Sequence, residues 1–143
     1  MKRCLADVNL LLALLVRHHE QHDRALRWYD DLVAGQAQLC RFVQLALIRL
    51  LGNRTIMGGY TLSAAAAWEL LEQLMEDERM EFAAEPALLA QQFPKLLKYP
   101  TATNKLVGDA YLAAFSVAGQ MRFATFDAGF RQFRDLDLLL LAH

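Results

Sequence analysis

The chain has little cysteine, proline or glycine, almost no net charge, and no long apolar run. Cysteine occurs twice, at Cys4 and Cys40, each inside a short apolar stretch. That suits reduced core thiols; a secreted scaffold would carry more of them, and a zinc site would show a C-x-x-C or Cys/His cluster. Three prolines and seven glycines in 143 residues exclude collagen-like and linker-rich designs. A formal net charge of −1 argues against a coat that holds nucleic acid by bulk positive charge, and leaves room for a local basic patch. No apolar run approaches the roughly 18 residues of a membrane span. Lys2-Arg3 ahead of Leu10–Val16 has the outline of an export signal. Asp7 and Asn9 interrupt that stretch, and no small-residue cleavage site comes after it. A cytoplasmic location is the expectation.

What is present is apolar side chain, 55% of the sequence. A disordered or low-complexity chain is thereby excluded. The length is that of one domain, able to bury roughly 70% of its unfolded surface without a disulfide or structural zinc. Strands are expected at Arg3–Ala6, Ala37–Phe42, Met80–Ala83, Arg122–Thr125 and Asp137–Leu141. Between them, helical spacing of apolar residues predicts helices over Leu10–Val16, His19–Val33, Val43–Leu51, Leu62–Met75, Pro86–Leu97 and Thr103–Val117. Ser63 is a plausible N-cap, Pro86 sits at a first-turn position, and Gly35, Gly52 and Gly119 are read as stops. Asn53–Tyr60 and Tyr99–Thr103 read as loops. The alternation of strands and helices implies an α/β fold, a parallel sheet of about five strands flanked by helices on both faces.

In open parallel sheets, ligands bind outside the carboxyl ends of the strands. Asp7 stands just past the first strand and Asp127 just past the fourth. Each has a plain structural reading as the N-cap of a helix starting there. Asp109 is harder to explain that way, because Leu106, Leu112, Ala113 and Val117 put it on or beside an apolar stripe. A buried carboxylate needs a partner, a hydrogen bond or a metal; Lys105, four residues earlier, offers a surface ion pair. Gly108 beside it gives close backbone access for no evident structural gain. Three converging carboxylates would raise one another's pKa unless a cation neutralised them. Oxygen donors alone suit Mg²⁺ or Mn²⁺ better than zinc. Such a site polarises a phosphoryl oxygen and activates water, a chemistry open to phosphodiesters and phosphomonoesters alike.

Three stretches resemble the motifs of PIN-domain nucleases: Leu-Ala-Asp7-Val-Asn9-Leu-Leu, Gly108-Asp109-Ala-Tyr-Leu-Ala, and Ala-Thr125-Phe-Asp127-Ala-Gly-Phe. Their order and spacing extend over essentially the whole chain, residues 1–143. The stretches from His19 to Trp28 and from Gln44 through Arg49 are similar to the VapC-type toxins within that family. The resemblance implies a Mg²⁺- or Mn²⁺-dependent endoribonuclease, a homodimer, an RNA substrate and a small antitoxin protein that occludes the site. It implies Asp7, Asp109 and Asp127 as metal ligands, direct or through water, with Asn9 and Thr125 as polar support. One departure stands out. The position of the family's second acidic residue is Gln44, whose amide keeps an acceptor oxygen and loses the charge. Weaker metal binding, or a different metal number, is expected from it.

Other residues have competing readings. His18 and His22 share a helix face as zinc ligands sometimes do, yet no third ligand accompanies them, so structural histidines are expected. Trp28 and Tyr29 read as core or dimer contacts rather than base-stacking platforms. Arg49 is either a snorkelling surface side chain or a phosphate-positioning one. Lys105, Arg122, Arg131 and Arg134 give the last third a basic tendency that RNA contact could use. The apolar helix around Trp68, Leu70, Leu71 and Leu74 can pack on the sheet or face a partner. Two other functions compete. An aspartyl-phosphate phosphatase would want Asp where Asn9 stands. A non-catalytic RNA- or protein-binding module that keeps the fold is favoured by Gln44.

Overall fold

The apolar run Cys4–Ala6 forms strand β1 of the computed structural model, which describes residues 1–98 and 106–142. Ala37–Cys40 is β2, Met80–Ala83 is β3, Arg122–Thr125 is β4 and Leu138–Leu140 is β5. They pair in parallel in the order β3-β2-β1-β4-β5. The helices are α1 (Val8–Leu15), α2 (His22–Asp30), α3 (Arg41–Leu51), α4 (Arg54–Met57), α5 (Ala64–Glu76), α6 (Leu89–Leu96) and α7 (Leu106–Ala118). From β1 the chain steps one way through β2 to β3, then returns past β1 to β4. Parallel crossovers are right-handed, so connections stepping in opposite directions place their helices on opposite faces of the sheet. The expected two-sided α/β sheet is therefore the one formed. Its direction reverses between β1 and β4, and that reversal is where ligand crevices open.

The core explains why these segments pair. Leu5, Leu39 and Phe123, one from each of the three central strands, are fully buried. Leu10 and Leu11 of α1, Val43 and Leu47 of α3, and Leu112 and Phe115 of α7 close over them. A strand buried on both faces must be apolar throughout, as Cys-Leu-Ala of β1 is. At the edge, β3 has its two middle residues exposed. Both cysteines are free and buried, and burial pushes the Cys4 thiol up to about 12, which keeps it protonated and inert.

Several boundaries differ from expectation. Cys40 already caps α3 with extended backbone, so Phe42 belongs to the helix and not to β2. Residues 16–21 form turns rather than helix: the His19 amide donates to the Val16 carbonyl, and the Gln21 amide to Nδ1 of His19. The expected loop after Gly52 contains α4, whose first amides, Thr55 and Ile56, donate to Oδ1 of Asn53. Four residues are too few for periodicity to reveal. Pro86 starts only a turn, its carbonyl accepting from the Leu89 amide, and α6 comes next with Pro94 inside it. The expected 99–103 loop, the start of the next helix at Thr103 or Asn104, and Lys105 lie outside the described residues.

Candidate active site

β1 and β4 are paired in register, Ala6 beside Ala124, so the residues just past them emerge side by side. The Asp7 amide extends the ladder by donating to the Ala124 carbonyl (2.9 Å). Asp7 is buried, at 6% exposure. Its Oδ1 accepts from the Val8 amide at 2.7 Å, and its Oδ2 accepts from the Thr125 hydroxyl at 2.6 Å. Thr125 is fully buried, and the same hydroxyl oxygen accepts from the Asp127 amide at 2.9 Å. One threonine thus ties the two aspartates together across the switch point. Asp127 is exposed, and its Oδ1 accepts from the Gly129 amide at 2.8 Å. A Cβ on Gly129 would stand 3.0 Å from that oxygen, so a side chain there would push the Asp127 carboxylate by a few tenths of an ångström. The N-cap reading of both aspartates is thus fulfilled in the same geometry that gathers them.

Asp109 is half-buried in the first turn of α7. Its charge and that of Asp127 both reach Asp7. Burial first, and then these two like charges, push the Asp7 carboxyl up to about 6, against the lowering effect of the Thr125 and Val8 hydrogen bonds. The charges of Asp109 and Asp127 therefore act on Asp7 within one electrostatic neighbourhood. Among the described residues, no three His, Cys, Asp or Glu side chains stand close enough to hold a metal ion between them.

The remaining expected site residues are placed unevenly. Asn9 is exposed in the first turn of α1, two residues past Asp7. Gln44 is buried on α3, where its Oε1 accepts from Arg41 Nη1 at 2.7 Å. It lines a cleft of about 240 Å³ with Trp68 and Met75 of α5. Arg49 is exposed in the last turn of α3, where a cation faces the helix's unpaired carbonyls. Eight residues, about 12 Å of helix rise, separate it from Arg41 at the start of α3, directly after β2. Arg122 is paired with Asp137, which also holds Lys2, and so adds little to a basic surface. Arg131 and Arg134 stay exposed just beyond Asp127.

The histidines take separate structural roles. His18 stacks on Tyr60, His19 caps the Gln21 amide, and His22 Nδ1 lies 2.8 Å from the Ala13 carbonyl. Trp28 and Tyr29 are buried core. Sequence reasoning missed Phe42, whose ring lies on Gly108 with its Cζ 2.9 Å from where a Cβ would stand. A Cβ at position 108 would therefore require the Phe42 ring to shift. A glycine before an acidic helix residue was the available signal; the aromatic side chain that uses it comes from another element.

The chain matches the PIN domain family over residues 4–136. It is 36% identical to Ribonuclease VapC41 of Mycobacterium tuberculosis, over 96% of this chain and 98% of that protein. Among solved structures it resembles Mycobacterium tuberculosis VapC20, described as a sarcin–ricin loop cleaving toxin, with TM-score 0.68 and 15% identity over 94% and 97% of the two chains. It also resembles VapBC2 from Rickettsia felis bound to a DNA fragment from their promoter, with TM-score 0.68 and 14% identity over 97% and 98%.

Proposed function

Because the chain belongs to the PIN-domain family, we propose that it is a metal-dependent endoribonuclease, the toxin of a toxin–antitoxin pair. Residues 1–143 are read as one PIN-like nuclease domain acting in the cytoplasm. Among the described residues, no helix is long and apolar enough to cross a membrane. Its partners are an RNA substrate, a cognate antitoxin and a second copy of the chain.

The observation that carries this reading is the buried Asp7 carboxylate, held beside two more carboxylate charges with a threonine hydroxyl as its buffer. Such a cluster is stabilised by a cation, and an all-oxygen donor set fits Mg²⁺ or Mn²⁺. Asp7, Asp109 and Asp127 would hold it, in part through waters, since Mg²⁺ keeps several of its own. Bound there, the cation would withdraw charge from a phosphoryl oxygen and make an attacking water more acidic. The chain's residues do the positioning. Thr125 fixes the Asp7 carboxylate in one rotamer and the Asp127 backbone in one place. Asn9 at the rim can hydrogen-bond water or ribose without adding charge. Arg131 and Arg134 attract the phosphate backbone.

The test is to incubate the full chain with structured RNAs, with and without Mg²⁺ or Mn²⁺. Cleavage that needs the metal and disappears in Asp7→Asn is expected. Bound but uncut RNA under every metal condition would instead make this a non-catalytic binding module.

A further inference from the structure

Strand order sets Asp7, Phe42 and Glu85 along one edge of the sheet. Asp7 comes directly after β1, Phe42 two residues after β2, and Glu85 two residues after β3. Neighbouring strands are about 4.8 Å apart, so the step from β1 to β3 is about 10 Å. At about 3.4 Å per stacked nucleotide, that is the span of a few nucleotides. From Phe42 to the Glu85 side the rings of Phe42, Tyr111 and Phe93 touch in series. The half-exposed Phe42 ring lies on Gly108, next to Asp109. Its centroid is 5.2 Å from the Tyr111 ring, tilted by 33°. Tyr111 meets Phe93 of α6 edge to face at 5.7 Å. Beyond Tyr111 lies a cleft of about 440 Å³, with Phe93, Leu89 and Tyr111 as apolar wall and Glu85 as its carboxylate. The Tyr111 hydroxyl donates to Glu85 Oε1 at 2.6 Å. Burial, and then the Glu85 carboxylate, push that hydroxyl's pKa up, so it remains a donor and holds the carboxylate in place.

We propose that this cleft is a nucleobase subsite for guanine in a single-stranded RNA whose scissile phosphate lies at Asp7, an inference that rests on the ribonuclease reading above. Aromatic walls accept any base by stacking. Glu85 supplies the discrimination, because an ionised carboxylate only accepts hydrogen bonds, and each of its oxygens has two lone pairs. Oε1 therefore keeps capacity after accepting from Tyr111. Guanine presents two adjacent donors on its Watson–Crick edge, N1–H and the N2 amino group. Adenine and cytosine set an acceptor nitrogen beside their amino group, and uracil flanks its N–H with two carbonyls. Each of those turns a lone pair toward the carboxylate, which costs binding as surely as the guanine pair favours it. Recognition of splayed bases on their Watson–Crick edge, with aromatic stacking, is how single-stranded RNA is usually read.

The experiment titrates the full chain in EDTA, where RNA stays whole, with the four nucleoside 5′-monophosphates, monitored by NMR chemical shifts. Short oligouridylates with one central guanosine, inosine or adenosine are then compared by fluorescence anisotropy. The guanine ligand is expected to bind about tenfold tighter than the others, and inosine, which lacks the N2 amino group, to lose most of that advantage. Glu85→Gln on the exposed loop removes the preference without unfolding the chain, and Phe42→Ala weakens all oligonucleotides alike. Equal binding of the four nucleotides, or a guanine preference that survives Glu85→Gln, overturns the proposal. Asp7-dependent cleavage without any Glu85-dependent base preference overturns the subsite and leaves the nuclease reading standing. Glu85-dependent guanine binding by a chain that cuts no RNA upholds the subsite and overturns the nuclease reading.

Discussion

Asp7→Asn is expected to stabilise the metal-free protein while abolishing its activity. The carboxyl is pushed from 3.8 to about 6, by burial first and by Asp109 and Asp127 after it. The sign comes from linkage. A raised folded-state pKa means that Asp7's favourable contribution is complete below about pH 4 and lost as pH rises through about 6. At pH 7.5 the ionised, buried group therefore opposes folding. About two units at 1.36 kcal/mol each set an upper bound of about 3 kcal/mol. The amide must re-form the hydrogen bonds with Thr125 and Val8, so a net gain of about 1–2 kcal/mol is the reasonable share. In a chain of this length that raises Tm by about 3–7 °C.

The assay is thermal unfolding of both proteins in EDTA across pH 4 to 8. The gap is expected to be closed below about pH 4, where wild-type Asp7 is protonated, to open as pH rises from about 4 to 6, and to stay at its full size above that. Saturating Mg²⁺ or Mn²⁺ then stabilises the wild type by mass action and leaves Asp7→Asn nearly unmoved. A variant less stable than wild type at pH 7.5 in EDTA would refute the reasoning. So would a gap that ignores pH.

Thr125→Val keeps the volume and removes the hydroxyl that serves Asp7 and the Asp127 amide. It is expected to cost about 1–3 kcal/mol by denaturant titration and most of the cleavage rate, with Thr125→Ser recovering both. Gln44→Glu is expected to lower the metal concentration for half-maximal cleavage, because it restores the negative charge that the amide lacks; an unchanged metal requirement would refute that role for position 44. Arg79→Ala removes a bidentate partner of Asp77 and a cation 4.2 Å above the Tyr29 ring, for a loss of about 1 kcal/mol. Arg79 holds Asp77 well below the usual carboxylate range, so this stabilisation exists at neutral pH and is lost as pH falls below about 4. The variant's shallower acid transition in a pH series of melts checks it.

Much of the fold was legible because burial imposes a pattern. Strands covered on both faces read as short apolar runs, and the helices between them repeat at their own period. What escaped was local. The α4 turn is held by a side-chain cap, and α3 starts without a loop because Cys40 is at once the last strand residue and the cap. At the site, aspartates after strands could be picked out by position alone. The roles of Gln44 and Arg49 could not, because the direction a helical side chain takes depends on what packs against it. Gln44 turns toward Arg41 and α5, and Arg49 stands at the far end of α3.

By itself the sequence determined the fold class and the order of the elements, and it singled out three aspartates as candidates. Each is a local property: an apolar run, a helical period, or an acidic residue at a strand or helix start. Only the tertiary structure decided that Thr125 bridges Asp7 and Asp127, that the Phe42 ring packs on Gly108, and that Tyr111 holds Glu85 over a cleft. The longest of these links, from Thr125 to Asp7, spans 118 positions, and the one from Tyr111 to Glu85 spans 26. The parallel sheet brings them together by aligning the ends of strands from distant parts of the chain, an alignment set by the long-range packing of the core.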